Sequence, residues 1–303
     1  GAPVTIALGA DNSGYTGTVT QNNNVAVNFT SANAGSAGAA WVFNDANFDR
    51  VRVNIAGGGT LNLGSIAGSG QIQNDTASTV STLSVGALNT STTFSGTIKD
   101  AAAGTGILAL TKVGSGTLTL SGASTYTGAT TINGGTLLVN GSLASAGAVG
   151  FSSTGATLAG AGTVGDVTLS AGNFLAPGDG TTPIGTMTVN SLTLNGGNFT
   201  FDLSATDNTS DQIVVTNALT DGGTGYTFDF SGGLADQTYT VITFGSTTFT
   251  DAAKFSATGV SGSFTLNGNS LTFTAVPEPG VVALLVAGLG GGVITLRRQR
   301  HLA

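Results

Sequence analysis

A short template, Gly-Thr-Leu followed by alternating apolar residues, returns along this chain at intervals close to twenty residues. Gly59-Thr60-Leu61-Asn62-Leu63-Gly64, Gly116-Thr117-Leu118-Thr119-Leu120 and Gly135-Thr136-Leu137-Leu138-Val139-Asn140-Gly141 carry it most fully. Ala156-Thr157-Leu158-Ala159-Gly160 and Ser191-Leu192-Thr193-Leu194-Asn195-Gly196 are looser copies. Leu118, Leu137 and Leu158 stand 19 and 21 residues apart. A unit of that length holds a strand, a turn and another strand, too little to enclose a core alone. It has to stack on copies of itself, which is the logic of a parallel β-helix.

The rest of the chain agrees with an all-β reading. One Glu, three Lys and no 3.6-residue apolar stripe before the C-terminal tail leave little to build helices from. Short β-branched or alternating runs recur instead, at Val4–Leu8, Val25–Phe29, Val51–Ile55, Thr117–Leu120, Thr136–Val139, Thr186–Val189 and Phe199–Leu203. Gly and Asn between them supply corners with positive φ. At about 4.8 Å per coil, roughly thirteen coils predict a rod near 60 Å long. An antiparallel sandwich would also supply the strands, but not the near-constant return of Gly-Thr-Leu.

Pro and Gly concentrate at Ala176-Pro177-Gly178-Asp179-Gly180-Thr181-Thr182-Pro183, which predicts a turn or an irregular coil. Residues 1–176 are thus read as β-helix. Residues 177–275, richer in Phe and Tyr, are read as further coils ending in an antiparallel cap with a turn at Leu266-Asn267-Gly268-Asn269. A cap matters because an open β-helix end leaves strand edges unpaired and invites end-to-end self-association, hence filaments.

Residues 276–303 differ from everything before them. Pro277-Glu278-Pro279 precedes sixteen uncharged, mostly apolar residues, Val281 to Leu296, and then Arg297-Arg298-Gln299-Arg300. As a helix the apolar stretch spans roughly 24 Å, short of a hydrocarbon core of roughly 30 Å but usable with snorkelling arginines and bilayer thinning. Arg297, Arg298 and Arg300 act as a membrane stop and stay cytoplasmic, which leaves residues 1 to about 276 outside. The chain begins Gly1-Ala2-Pro3 and its one Met is Met187, so a leader removed or never included is expected at the other end.

Two resemblances follow from these residues. Val276-Pro277-Glu278-Pro279, the apolar segment and the Arg cluster, in that order, resemble the PEP-CTERM sorting signal. That resemblance implies handling by exosortase, a membrane enzyme of Gram-negative bacteria that generally also make extracellular polysaccharide, with cleavage near the motif after transient anchoring in the inner membrane. The glycines Gly288, Gly290, Gly291 and Gly292 depart from a strongly apolar anchor. Leu108 to Gly141, with Lys112, Gly116-Thr117-Leu118, Tyr126-Thr127-Gly128 and Gly135-Thr136-Leu137, is similar to the autotransporter-associated β-strand repeat. This implies a right-handed parallel β-helix built as a secreted stalk or passenger. An outer-membrane barrel usually exports such passengers, and here the sorting tail is expected to take its place.

Chemistry is constrained by what is missing. There is no Cys, and the single His, His301, lies beyond the apolar segment, so thiol nucleophiles, Ser-His-Asp chemistry and His- or Cys-ligated metals have no side chains to use. Residues 1–276 carry fourteen Asp against Arg50, Arg52, Lys99, Lys112 and Lys254, a net charge of −9 that speaks against nucleic acid. No cofactor is expected. Carboxylate pairs remain: Asp45/Asp49, beside Trp41, Phe43, Arg50 and Arg52, and Asp207/Asp211. Trp41, Asp45, Asp49 and Arg50 are the residue types of a glycan contact; equally, Asp45 and Asp49 suit a turn around Asn44 and Asn47, and Asp207 and Asp211 a loop. Gly222-Gly223-Thr224-Gly225-Tyr226-Thr227 starts like a calcium-binding β-roll nonapeptide, but Thr227 stands where Asp is needed and the motif does not repeat. The reading is a non-enzymatic surface or matrix protein, associated with extracellular polysaccharide or self-assembling. A polysaccharide lyase or hydrolase using Asp45 and Asp49 is the alternative.

Overall fold

The computed structural model describes residues 4–22, 25–44, 50–101, 105–144, 146–178 and 184–277. They form a right-handed-type parallel β-solenoid of about ten turns, with no α-helix among them. Three sheets run along its sides, of five, eleven and thirteen strands. The eleven-stranded sheet takes one strand from nearly every turn, from Gly17–Gln21 to Phe255–Thr258.

Alternation explains why these segments are strands. In Ile107–Val113 every second side chain points inward: Leu108, Leu110 and Lys112 are buried and their neighbours are not. Thr117–Leu120 and Thr136–Val139 repeat the pattern, outward Thr117, Thr119, Thr136 and Leu138 alternating with inward Leu or Val. Successive turns stack like on like. Leu118 pairs with Leu137, Leu137 with Leu158, Leu158 with Leu175, Leu175 with Phe199 and Phe199 with Phe228, one inward column along the rod. Each fully buried Leu or Phe contributes about 1.5–3 kcal/mol relative to exposure, and here no turn could realise that alone.

Turn length varies along the column. The steps from Leu118 are 19, 21, 17, 24 and 29 residues, so the coil count is nearer ten than the thirteen that a constant twenty-residue period predicts. In the first hundred residues the five-stranded sheet, ending at Thr97–Lys99, closes a third side of the rod. Beyond it the third side thins to single bridges, Ala123 to Ser142 and Ser142 to Thr163, before a parallel ladder resumes from Thr163–Val164 through Thr186–Val189 to Gln212–Asp221. The longer late turns enclose a wider section, and larger side chains fill it: Phe199, Phe201, Phe228, Phe230, Phe264 and Phe273 pack with ring centroids 4.2–6.3 Å apart.

At the far end the pairing changes sense. Ser270–Ala275 runs antiparallel to both Thr238–Thr247 and Gly262–Asn267, turning at Asn267 and Gly268, where φ is +54°. This is the expected cap, and Phe264 and Phe273 close the core beneath it. Among the described residues no helix is long and apolar enough to cross a membrane. The expected segment 281–296, with Glu278, Pro279, Arg297, Arg298 and Arg300, lies outside the described residues, and Pro277 is the last described position.

Candidate functional site

The aromatic and charged neighbourhood around residues 41–52 does not assemble as an open platform. Trp41 is 3% exposed; its ring meets Phe29 edge-on at 5.2 Å and its Nε1 donates to the Ser36 carbonyl at 3.4 Å. Phe43 is fully buried. Trp41 and Phe43 fall on the inward register of Ala39–Phe43, so alternation turns both rings into the core. Arg52 pairs with Asp75 at 3.1 Å on a neighbouring turn. Asp45, Asp49 and the Arg50 side chain lie outside the described residues.

The second carboxylate pair separates. Asp207 is an exposed turn residue that accepts from the Thr209 backbone N–H (3.0 Å) and hydroxyl (2.6 Å), bonds that hold its carboxyl below the usual range. Asp211, by contrast, is 3% exposed and faces a different neighbour, Asp202. Burial pushes its pKa up to about 6, against the lowering effect of two backbone donors, Asp202 N at 2.9 Å and Gly185 N at 2.6 Å. Asp202 itself accepts from the Ser231 hydroxyl.

Asp202 and Asp211 wall a trough of about 260 Å³ on the outside of the eleven-stranded sheet. Its floor is a rank of outward side chains in register: Leu138 pairs with Ala159 and Ala159 with Ala176, with Thr200 beyond. Two successive alanines between a leucine and a threonine leave a depression two turns long. Pro177 and Gly178 complete the lining, and Phe174, half-buried, stands on the same outer face two residues before Ala176. Neither Asp202 nor the alanine floor was among the residues that sequence reasoning singled out. The Ala159/Ala176 register needs the 17-residue step between those turns, which no local motif announces.

Near Gly222-Gly223 a cation is already present as a side chain. Lys254 Nζ lies 2.5 Å from Asp221 and 2.9 Å from the Gly223 carbonyl, while the Tyr226 hydroxyl donates to Asp221 at 2.6 Å. Among the described residues no group of three metal-ligating side chains comes together.

In the central turns Lys112 is 1% exposed and occupies an inward position between Val85 and Ile132. Its stem lies in the core and its ammonium reaches the corner, donating to the carbonyls of Val113 (2.9 Å), Gly114 (2.9 Å) and Gly134 (3.2 Å). Burial brings its pKa down to about 8. Tyr126, also buried, shares a 2.7 Å hydrogen bond with Thr130. The Lys112–Gly134 bond ties one turn to the next, and the Tyr126–Thr130 bond closes a corner within a turn. They fall in the segment that the comparisons pick out: the model of one family, the passenger-associated-transport-repeat, an autotransporter-associated β-strand repeat, matches residues 110–139. No curated protein matches the chain. The match spans parts of the strands from Ile107–Val113 to Thr136–Val139, two from each of the two longer sheets.

Proposed function

We propose that this chain is a non-enzymatic, exported surface protein: a stiff β-solenoid stalk displayed outside the cell and associated with extracellular polysaccharide. The observation that carries this reading is the passenger-type repeat lying within an unbroken stack of turns. The exterior supports it. Along the thirteen-stranded sheet Asn62, Ser84, Thr111 and Thr131 pair in register, as do Thr168, Thr193 and Thr220 further on. Such an uncharged, hydroxyl-bearing side suits a solvated rod among neutral sugars better than a catalytic cleft.

The tail completes the proposal. Pro277-Glu278-Pro279, residues 281–296 and the arginines would be read by an exosortase-type enzyme in a Gram-negative cell, with the apolar segment holding the chain in the inner membrane until cleavage. Mass spectrometry of C-terminal peptides from surface and medium fractions tests both halves. The expected result is surface-located protein whose last peptides end near Pro277–Gly280. An intact chain through Ala303 would remove the processing step, and recovery from the cytoplasm alone would remove surface display.

A further inference from the structure

We propose that the trough between Asp202 and the Leu138–Ala159–Ala176 rank is the subsite through which the rod holds a neutral, linear polysaccharide. This rests on the reading of a polysaccharide-associated surface protein. Four features of the trough select the ligand. Its floor is methyl groups from Ala159 and Ala176 on adjacent turns, a flat apolar patch. Adjacent turns are about 4.8 Å apart, so a two-turn gap is the length of one to two pyranose rings, whose C–H face is apolar. The rim is hydrogen-bonding: the Asp202 carboxylate accepts from sugar hydroxyls and Thr200 both donates and accepts. Among the described residues no Lys or Arg lines the trough, so a uronic-acid or sulfated chain meets acidic walls without a counter-charge.

Asp211 has a supporting part. Its two oxygens are held by the backbone N–H groups of Gly185 and Asp202, so it fixes the wall rather than meeting the ligand. Asp202 is positioned in turn by Ser231 on the next turn. Phe174, on the same face in the rank that pairs Thr157 with Phe174 and Phe174 with Asn198, extends the apolar surface sideways for a neighbouring sugar.

Affinity electrophoresis of the full chain tests this, with gels containing hydroxyethylcellulose, galactomannan or dextran as neutral probes and polygalacturonate as the anionic one. We expect retardation by at least one neutral glycan and none by polygalacturonate. Ala176→Phe, which fills the floor from the outer face, should weaken the neutral interaction at least tenfold, and Asp202→Asn about fivefold. Thr5→Phe, exposed on the five-stranded sheet, should leave it unchanged. If no probe retards the wild-type chain, the polysaccharide reading itself fails. If the wild type is retarded and both trough variants are retarded equally, association stands and the trough is not the site. Stronger retardation by polygalacturonate would also overturn the proposal. Should Ala176→Phe not fold, Asp202→Asn alone decides, since it adds no volume.

Discussion

At the scale of single residues, the two buried charges show how this fold handles polarity. Lys112 takes a position that its register neighbours fill with Val85 and Ile132, and it is tolerated because three N–H bonds meet three carbonyls. Lys112→Met keeps the apolar stem and strands those acceptors, so it should cost about 1–3 kcal/mol in urea unfolding. The pH dependence has a definite sign. The folded chain loses the Lys112 proton near pH 8, the unfolded chain near 10.5, so wild-type stability should rise as pH climbs from about 8 to 10. The Met variant should lack that rise. Tyr126, raised by burial, acts oppositely but above this window. Asp211 gives a mirror case at low pH: its folded pKa of about 6 exceeds the unfolded 3.8, so its contribution grows as pH falls from about 6 to 4. Asp211→Asn should remove this difference, about 1 kcal/mol after allowance for solvent screening at the trough. A wild-type profile as flat as the variant's would count against a strained, buried carboxyl.

At the scale of the turn, corners decide which sequences can stack. A Cβ on Gly96 would sit 1.8 Å from the Gly70 carbonyl oxygen, on Gly122 1.9 Å from that of Gly96, and on Gly141 2.2 Å from that of Gly122. These glycines form a column, each facing the one a turn below. What excludes a side chain there is backbone contact between turns; positive φ alone is the constraint at other corners, such as Gly155 at +78°, where a Cβ would meet nothing within 4 Å. Gly122→Ala should therefore push two turns apart and cost about 1–3 kcal/mol or more, measured by thermal melting; a neutral effect would mean that the corner can relax. The sequence pattern made the Leu column and the cap legible, because alternation and the Gly-Thr-Leu spacing are local signals. It did not reveal the glycine column, the third sheet or the trough. Those depend on which residues meet after turns of 17 to 29 residues, and the loops absorb the differences without a local trace. Trp41 illustrates the same limit: beside charged residues in sequence it suggested a surface platform, yet one register position decides whether the ring faces in or out.

At the scale of the whole molecule, the rod is a stack whose turns touch chiefly their neighbours, so its ends carry disproportionate weight. The antiparallel pair Gly262–Asn267 and Ser270–Ala275 ends the thirteen-stranded sheet, and its Phe264 and Phe273 lie over Phe228, Phe230 and Phe255. Its outermost strand presents Ser263, Thr265 and Asn267 among its exposed or partly exposed side chains, a polar edge that blunts further pairing. A chain ending at Ser261 would lose that cover and bare both the aromatic end of the core and the edge of Thr238–Thr247. Sedimentation velocity over a tenfold concentration range should then show assemblies growing with concentration, while a chain ending at Val276 holds one sedimentation coefficient. Mutating Phe264 and Phe273 together to Ser in the longer chain should give an intermediate result, since the strand edge stays paired while the apolar cover is lost. If the chain ending at Ser261 sediments as a single small species, the cap is dispensable for keeping rods apart. End-to-end association would then have to be sought at the opposite end, where Val4 and Ile6 are exposed.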